Sequence, residues 1–429
     1  MARRVIRLAA ILAVAAAAPL AAQTPRRLSL KDAEQEALAN HPQVLASQYT
    51  AQAGAADVRE ARSAYFPTVF GSVTGADAQS GSRIAAGGLN NPIILDRLAT
   101  GVSASQLVTD FGRTRDLVKS STYQADALQQ DAVVGRADVL LRVDRAYLDA
   151  LRANALLRVA EETVRTRQLV VDQVSALAAS GLKSGLDLSF AKVNLAEAQL
   201  LLLQAQNDQQ GGFATLSAAL GSPQGASYDL ADEPVPPAPP TDSGAVVAQA
   251  LHDRPDVAAE RFAQESAAKF ADAERALWFP TVAAVAAAGI APYHQAGLND
   301  QYSAVGINVN VPLTNGGLFS ARHAAASYRA LAEEQQVHEL ENRVSRDVRL
   351  ALLDAQTGFQ RLDLTNQLLA QATEALDLAT SRYDLGLSSI VELTQAQLNK
   401  TRAEIAQASA RYDYASQVAA LRFQMGELK

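Results

Sequence analysis

The five histidines are the side chains best suited to metal binding or acid–base catalysis in this chain, and their spacing favours neither. They are His41, His252, His294, His323 and His338. No two form an HExxH-type pair, and the Gly-x-Ser-x-Gly turn, the phosphate-binding loop and the dinucleotide glycine pattern are also absent. The chain has no cysteine, which excludes disulfides, thiol nucleophiles and thiolate metal sites. We therefore expect neither an enzyme nor a cofactor.

Two carboxylates each follow a glycine at a predicted helix reversal. Gly181 precedes Asp187, and Gly386 precedes Glu392. Glycine adopts positive φ without steric cost and is therefore the usual residue just past a helix end. Ser388 or Ser389 can cap the next helix, and a carboxylate in its first turn interacts favourably with the free N–H groups. The pattern predicts two helix-turn-helix tips.

These tips belong to two similar halves. His41-Pro42-Gln43-Val44 resembles Arg254-Pro255-Asp256-Val257, and Phe66-Pro67-Thr68-Val69 recurs as Phe279-Pro280-Thr281-Val282. From Gly101 and Gly306 onward, matching residues differ by 205 in number, as Gly181 and Gly386 do. Each half is predicted to contain a helix, a β-hairpin, a long helix, a tip and a further helix.

The boundaries follow from prolines, glycines and periodicity. Residues 1–22 are predicted to be a signal peptide, because Arg3, Arg4 and Arg7 precede an apolar run; an anchor helix is the alternative. The first repeat spans 23–221, with a hairpin at about 68–108, a long helix at about 113–178 and a helix at 187–220. The second repeat spans 245–429, with a hairpin at about 281–313, a long helix at about 320–383 and a helix at 389–425. A proline-rich linker, 222–244, lies between them. The long helices lack proline, and each should extend over roughly 100 Å at 1.5 Å per residue.

Composition narrows the class of protein. Of 429 residues, 48% are hydrophobic, 19% charged and 5% aromatic, which suits long packed helices better than a compact enzyme core. The net charge of −7 argues against nucleic acid as a partner. After the first residues, no uninterrupted apolar run of about 18 residues occurs, so a membrane-spanning helix is not expected.

The clearest strand is Ile307–Val311, which alternates aliphatic residues with Asn308 and Asn310. This alternation places the aliphatic side chains on one face and the amides on the other. On the pattern alone, a soluble, half-buried hairpin is the favoured interpretation.

The sequence resembles the TolC-like outer-membrane efflux protein family over nearly the whole mature chain. The resemblance rests on the duplicated halves, the Phe-Pro-Thr-Val junctions, Asn315-Gly316-Gly317 at the strand exit, and Arg382-Tyr383-x-x-Gly386 followed by Glu392 and Gln397 at the tip. It implies a mainly α protein with a membrane β-barrel: a homotrimer with a 12-stranded β-barrel in the outer membrane and an α-helical barrel in the periplasm. It also implies an exit duct that works by passive diffusion with a periplasmic adaptor protein and an inner-membrane pump.

The resemblance also assigns expected roles at the tips. Asp187, Tyr383 and Glu392 match the family's periplasmic aperture, where three acidic copies around an axis would repel one another and attract cations. The alternative is that Asp187 and Glu392 are ordinary helix-start carboxylates, and both roles can hold. Ser388 and Gln395 stand where many members carry a basic residue and a second acid, so these features lack their matching residues. Expected adaptor contacts are Gly181, Leu182, Gly386, Leu387 and Ser388.

In such a barrel, Ile307, Val309 and Val311 would face lipid. Aromatic side chains at the strand–helix junctions would lie at one membrane interface; the alternative is that they are ordinary core aromatics. They are Phe66, Phe111, Trp278, Phe279 and Phe319. The rival to a channel is a periplasmic structural or adhesive coiled-coil protein, which explains the long helices but not the paired hairpins.

Overall fold

A computed structural model describes residues 26–77, 96–222, 228–294 and 299–428. The predicted signal peptide, 1–22, lies outside the described residues, as does most of the loop between the first two predicted strands. The chain is mainly α-helical, as expected, and it divides into two compact units. One takes the described residues of Met1–Leu45, Gly135–Asp253 and Val344–Lys429, and the other takes Ala46–Val134 and Arg254–Arg343.

The described elements follow the same order in both halves. The first half contains β1 (Arg26–Leu28), α1 (Leu30–Asn40), α2 (Pro42–Ser63), β2 (Thr68–Ala76), β3 (Arg97–Thr109), α3 (Arg113–Ala179) and α4 (Gly185–Ala219). The second contains β4 (Tyr228–Leu230), α5 (Ser243–Asp253), α6 (Pro255–Arg275), a 3₁₀ turn (Ala276–Trp278), β5 (Thr281–Tyr293), β6 (Gln301–Asn310), α7 (Leu318–Asp384) and α8 (Ile390–Gln424). The two long helices, α3 and α7, have 67 residues each, and α4 and α8 have 35 each.

Two expectations about the strands and the linker were wrong in detail. The last strand ends at Asn310, so Val311 lies outside it. Asn310 pairs with Thr281, the first residue of β5. The next pair would be Val311 with Pro280, and the ladder ends there because Pro280 has no N–H group to donate; Pro312 follows Val311 directly. The linker contains a short strand, β4, and its last residues already belong to α5.

In the first unit, the core forms where β1 and β4, which pair in parallel, lie against α3 and α4. Tyr147 is fully buried there, and its hydroxyl donates to the carbonyl oxygens of Leu28 at 2.9 Å and Ala231 at 2.7 Å. Because Leu28 ends β1 and Ala231 follows β4, one tyrosine holds both strands on the same helix.

Buried alanines recur every seven residues along α4 and α8. They are Ala191, Ala198 and Ala205 in α4, and Ala396, Ala403 and Ala410 in α8. The two sets are related by the same offset of 205 as the tips. A seven-residue repeat of small buried side chains lets helices pack closely with a left-handed twist. The alanine content of the sequence therefore serves helix packing.

The second unit contains one antiparallel sheet in the order β2-β3-β5-β6. Asp110 links β3 to α3: its carboxylate accepts from the Gly112 N–H at 3.2 Å and from the Thr114 N–H at 2.7 Å. Near the start of α7, buried Glu274 accepts two hydrogen bonds from Arg322, at 2.6 and 2.9 Å. The ends of the helices next to the sheet are thus fixed by buried polar contacts.

Candidate functional site

Both tips are built by the same backbone hydrogen bonds. After α3, Gly181 has φ +76°, its N–H donates to the Ala178 carbonyl at 3.1 Å, and the Leu182 N–H donates to the Leu177 carbonyl at 2.9 Å. This is the Schellman arrangement, which requires the positive φ that glycine supplies. Gly386 has φ +73° and forms the matching pair of bonds after α7.

Asp187 completes a capping box at the start of α4. Its Oδ2 accepts from the Ser184 N–H at 3.1 Å and from the Ser184 hydroxyl at 2.9 Å, and the Asp187 N–H donates to Ser184 Oγ at 3.1 Å. The carboxylate is only partly exposed. The helix-start interpretation therefore describes the local geometry of Asp187, and any role at an aperture must be carried by the same side chain.

Glu392 lies in a different environment. Ser389 caps α8 by accepting from the Glu392 N–H at 3.3 Å, but the Glu392 carboxylate pairs with Arg382 at 3.1 Å (Nε to Oε1). Arg382 belongs to α7, so this ion pair crosses from one helix of the hairpin to the other. Arg382 belongs to the tip motif that carries the family resemblance, but no partner was predicted for it. Its spacing from Glu392 across a glycine turn is the signal that could have found the pair.

Tyr383 is buried within the tips of a single chain. Its ring packs with Val174, Ile390 and Leu393, and the Lys183 ammonium lies 4.2 Å from the ring centroid. The hydroxyl makes no hydrogen bond to any described residue. Burial, and then the nearby carboxylates of Asp187 and Asp384, raise the pKa of Tyr383. Tyr383 therefore contributes packing between the two tips and does not present a hydroxyl to solvent.

Two polar contacts between the helical pairs α3–α4 and α7–α8 were not predicted from the sequence. Asn194 in α4 donates to Thr394 Oγ1 in α8 at 3.2 Å. Arg167 in α3, which is buried, donates to the Gln397 side-chain carbonyl. Arg167 continues the three- and four-residue spacing of Val171 and Val174 on the apolar side of α3. This spacing could have predicted the contact with Gln397, because a buried arginine requires a hydrogen-bond acceptor.

The outermost residues of the tips form an exposed apolar surface. Leu182 is 72% exposed and Leu387 67%, and a Cβ added to either Gly181 or Gly386 would meet no atom within 4 Å. Ser388 is half-buried, and its hydroxyl has no hydrogen-bond partner among the described residues. Exposed apolar side chains gathered at two adjacent turns are typical of a protein-interaction surface.

The register of the sheet gathers aliphatic residues on one face. Ile307 pairs with Ala284 and Val309 with Val282. Following the pairing across β5, β3 and β2 gives a face that also includes Val305, Ala286, Ala104, Val102, Val69 and Val73. The opposite face carries Asn308, Asn310, Ser103, Ser105, Ser72 and Thr74, together with two apolar residues, Phe70 and Val285. Side chains on both faces are largely exposed in the single chain.

The five predicted interface aromatics lie where helices and strands meet, and most of them pair. Phe111 and Phe279 have ring centroids 5.8 Å apart. Trp278 and Phe319 are also 5.8 Å apart, edge to face. Phe66 lies two residues before β2 and is 68% exposed. All five remain at least partly exposed, which a fully buried core cluster would not allow.

Across the described ranges, no set of three or more His, Asp or Glu side chains is placed to hold a metal ion. The helices within those ranges also include none that is both long and apolar enough to cross a membrane.

Comparison with known proteins shows which family this chain is similar to. The family model described as "Outer membrane efflux protein" matches residues 33–222 and 246–427. The pyoverdine export outer membrane protein OpmQ of Pseudomonas aeruginosa is 24% identical over 345 residues, covering 78% of this chain and 68% of OpmQ. Protein CyaE of Bordetella pertussis is 25% identical over 383 residues, covering 86% of this chain and 78% of CyaE. The crystal structure of the Campylobacter jejuni CmeC outer membrane channel superposes with a TM-score of 0.80 at 18% identity, covering 92% of this chain and 85% of that one.

Proposed function

The chain belongs to the outer membrane efflux protein family, and we propose that three copies form one continuous exit duct that is gated at the helical tips. It is an outer-membrane channel component of an efflux or secretion system. Members of this family are channels and not enzymes. Membership disfavours the rival interpretation as a coiled-coil protein without a channel.

The four-stranded sheet is the observation that carries the trimer proposal. Within the described residues, β2 and β6 each pair on one side only, so each has a row of unpaired backbone groups. Lipid does not tolerate such edges, and pairing β2 of one copy with β6 of the next removes them. We infer that three copies pool twelve strands in a closed barrel, with the aliphatic face of Ile307 and Val309 toward lipid and the face of Asn308 and Asn310 toward water.

The junction aromatics support the orientation of this barrel. Tryptophan and phenylalanine rings at the ends of strands favour the level of the lipid headgroups. We propose that Phe66, Phe111, Trp278, Phe279 and Phe319 mark the periplasmic side of the membrane. The long helices then continue into the periplasm, where the tips form the far end.

The tips are proposed as both gate and docking surface. Asp187 and Glu392 are the acidic residues in the first turn of the helix that follows each reversal, and three copies of each would give the aperture a preference for cations. Tyr383 would act indirectly, by holding the two tips of one chain together. The exposed Leu182 and Leu387, with Gly181, Gly386 and Ser388, are proposed to contact a periplasmic adaptor, which links the duct to an inner-membrane pump.

Single-channel conductance in planar bilayers tests the gate. The purified protein should give small, cation-preferring openings, and the Asp187→Ala/Glu392→Ala variant should give larger openings or lose the preference. The matched control is Asp208→Ala/Glu374→Ala, which removes two exposed carboxylates, one from α4 and one from α7, away from the two turns. Equal behaviour of the two double variants would move the gate elsewhere.

Native mass spectrometry of the detergent-extracted protein tests the assembly separately. A mass of three chains is expected. A monomeric protein recovered in the soluble periplasmic fraction would contradict the pooled barrel, whatever the conductance of any minor species.

A further inference from the structure

A cavity of about 520 Å³ lies beneath the proline-rich segment 233–240. The segment forms one wall, and aliphatic side chains from α1, α3 and the end of α8 form the others. They are Leu30, Leu148, Val418, Leu421 and Met425. Pockets of roughly 300–1,000 Å³ are of the size that encloses a small organic molecule. The cavity lies within one of the two compact units and is distant in sequence from both tips.

The proline-rich wall is held in place by hydrogen bonds from the helices. The Tyr414 hydroxyl donates to the Pro237 carbonyl at 2.5 Å, and the Arg411 guanidinium donates to the Glu233 carbonyl at 2.9 Å. Gln356 donates to the Pro240 carbonyl at 3.0 Å. Prolines have no N–H with which to join a sheet, so these side chains supply the contacts that fix the segment. The cavity is therefore preformed.

One buried carboxylate lines this cavity. Asp144 is 3% exposed, and its Oδ1 has no hydrogen-bond partner in the part of the chain that the structure describes. The carboxyl group of Glu34 in α1 lies close to that of Asp144. Leaving a buried carboxyl oxygen without a donor is unfavourable, so the site lacks one hydrogen-bond donor.

The surrounding charges favour a cation as that donor. Glu34, Glu233 and Glu427 lie around Asp144 or the cavity, and Arg422 is the positive group that lines it. A second arginine, Arg411, contacts the Glu233 carbonyl and is paired with Asp232. Arg422 itself lies 3.6 Å from Glu427. Burial, followed by the charge and hydrogen bond of Glu34, raises the pKa of the Asp144 carboxyl to about 7, and Arg422 opposes this shift. An anionic ligand would meet a net negative wall.

We propose that this cavity binds a small organic amine, with its ammonium group on Asp144 Oδ1 and its hydrocarbon body between the prolines and the aliphatic side chains of α8. The ammonium N–H supplies the missing hydrogen bond and a charge opposite to that of the carboxylate. The apolar walls remove the hydrocarbon part from water. The proposal does not depend on gating at the tips or on closure of the barrel.

Calorimetric titration of the purified protein, held in amphipol without detergent micelles, tests the site with 4-phenylbutylamine as the probe. At pH 8.5 the amine should bind, and 4-phenylbutan-1-ol, which has the same body without the charge, should bind at least tenfold more weakly. At pH 6 the amine should bind about tenfold more weakly than at pH 8.5, because only about a tenth of a carboxyl with a pKa near 7 is then ionised.

Two variants and one control locate the binding. Asp144→Asn keeps the shape of the side chain and should reduce amine affinity at least tenfold. Val418→Trp fills the cavity without altering the carboxylate and should abolish binding of both probes. Asp149→Asn changes an exposed carboxylate on the same helix and should leave affinity unchanged. The proposal is overturned by a wild-type protein that binds no amine, by equal affinities for amine and alcohol, or by an affinity that neither cavity variant changes.

Discussion

Gly181 and Gly386 end the two long helices through the same two backbone hydrogen bonds, yet the side chains around them differ. At the first tip, the hydrogen bonds that Asp187 makes to described residues lie within its own helix start. At the second, Glu392 joins α8 to α7 through Arg382. The two halves therefore share the backbone turn, whereas the side-chain contacts between successive helices are specific to each half.

The two tips are also complementary. At the place of Tyr383 in the second tip, the first has Ala178, and at the place of Ser388 it has Lys183. Lys183 from the first tip lies over the ring of Tyr383 in the second. The second tip has Ser388, and no basic residue, two positions after Gly386, whereas the first tip has Lys183 two positions after Gly181. Its partner is an aromatic ring, so each tip supplies one half of the contact between them.

The largest expected effect comes from removing the ring that joins the tips. Tyr383→Ala should destabilise the tip region by about 3–5 kcal/mol, as other large-to-small substitutions of buried aromatics do. Hydrogen exchange of the amides in 170–200 and 376–400 should accelerate, and single-channel openings should become larger or more frequent. The first tip offers no equivalent substitution, because its matching residue, Ala178, is already alanine.

Tyr383→Phe is the matched control for that prediction. The tyrosine hydroxyl is buried and has no hydrogen-bond partner among the described residues. Replacing it with hydrogen should therefore change the free energy of local opening, measured by hydrogen exchange, by less than about 0.5 kcal/mol or should raise it. Strong destabilisation by phenylalanine would mean that the hydroxyl bonds to another chain of the trimer, and the packing explanation would then be wrong.

The next effect tests whether the two turns are truly equivalent. Gly181→Ala and Gly386→Ala should each weaken the turn by roughly 1–2 kcal/mol, because a Cβ is unfavourable at positive φ even where space is free. Exchange of the Leu182 and Leu387 amides, which donate the Schellman bonds, reports each turn separately. Gly185→Ala, in the first turn of α4, has the same free space without positive φ and should not weaken protection. Unequal losses of free energy at Gly181 and Gly386 would show that the two turns are not equivalent.

A smaller effect is expected from the contact between the tips. Lys183→Gln removes the ammonium over the Tyr383 ring and should destabilise the tips by about 0.5–1 kcal/mol. The loss should vanish in a Tyr383→Leu background, which a double-mutant cycle measures. An undiminished loss in that background would show that Lys183 acts through another partner.

Much of the fold was accessible from the sequence because backbone chemistry is local. Proline at Pro67 and Pro280, and glycine at Gly181 and Gly386, end helices wherever they stand, and the repeat supplies both signals twice, with an offset of 213 for the prolines and 205 for the glycines. The same rule, followed fully, would have ended the last strand before Val311, because Pro312 directly follows Val311 and Pro280 directly precedes β5. The short strands β1 and β4 were missed since three residues carry no periodicity, and their pairing depends on Tyr147 and on a distant segment.

The site was less accessible because its contacts join residues far apart in sequence. Asp187 and Glu392 occupy matching places and suggested one shared role, but no local pattern reveals that only Glu392 meets an arginine from the preceding helix. Likewise, the burial of Tyr383 depends on Val174 and Lys183 of the other half. The carboxylate of Asp144 gave no signal at all, because a single acidic residue on a helix is ordinarily solvated.

The smallest expected effect concerns the ion pair that distinguishes the second tip. Both of its side chains are about half exposed, so Arg382→Gln should destabilise the α7–α8 reversal by only about 0.2–1 kcal/mol, and less at high salt. The structural consequence should still be asymmetric. Glu392, once released, should be free to add its charge to the aperture, whereas Asp187 remains held by its capping box. Conductance of Arg382→Gln should therefore show a stronger preference for cations at low salt. An unchanged preference would mean that the Glu392 carboxylate does not reach the ion path, and the acidic ring would then consist of Asp187 alone.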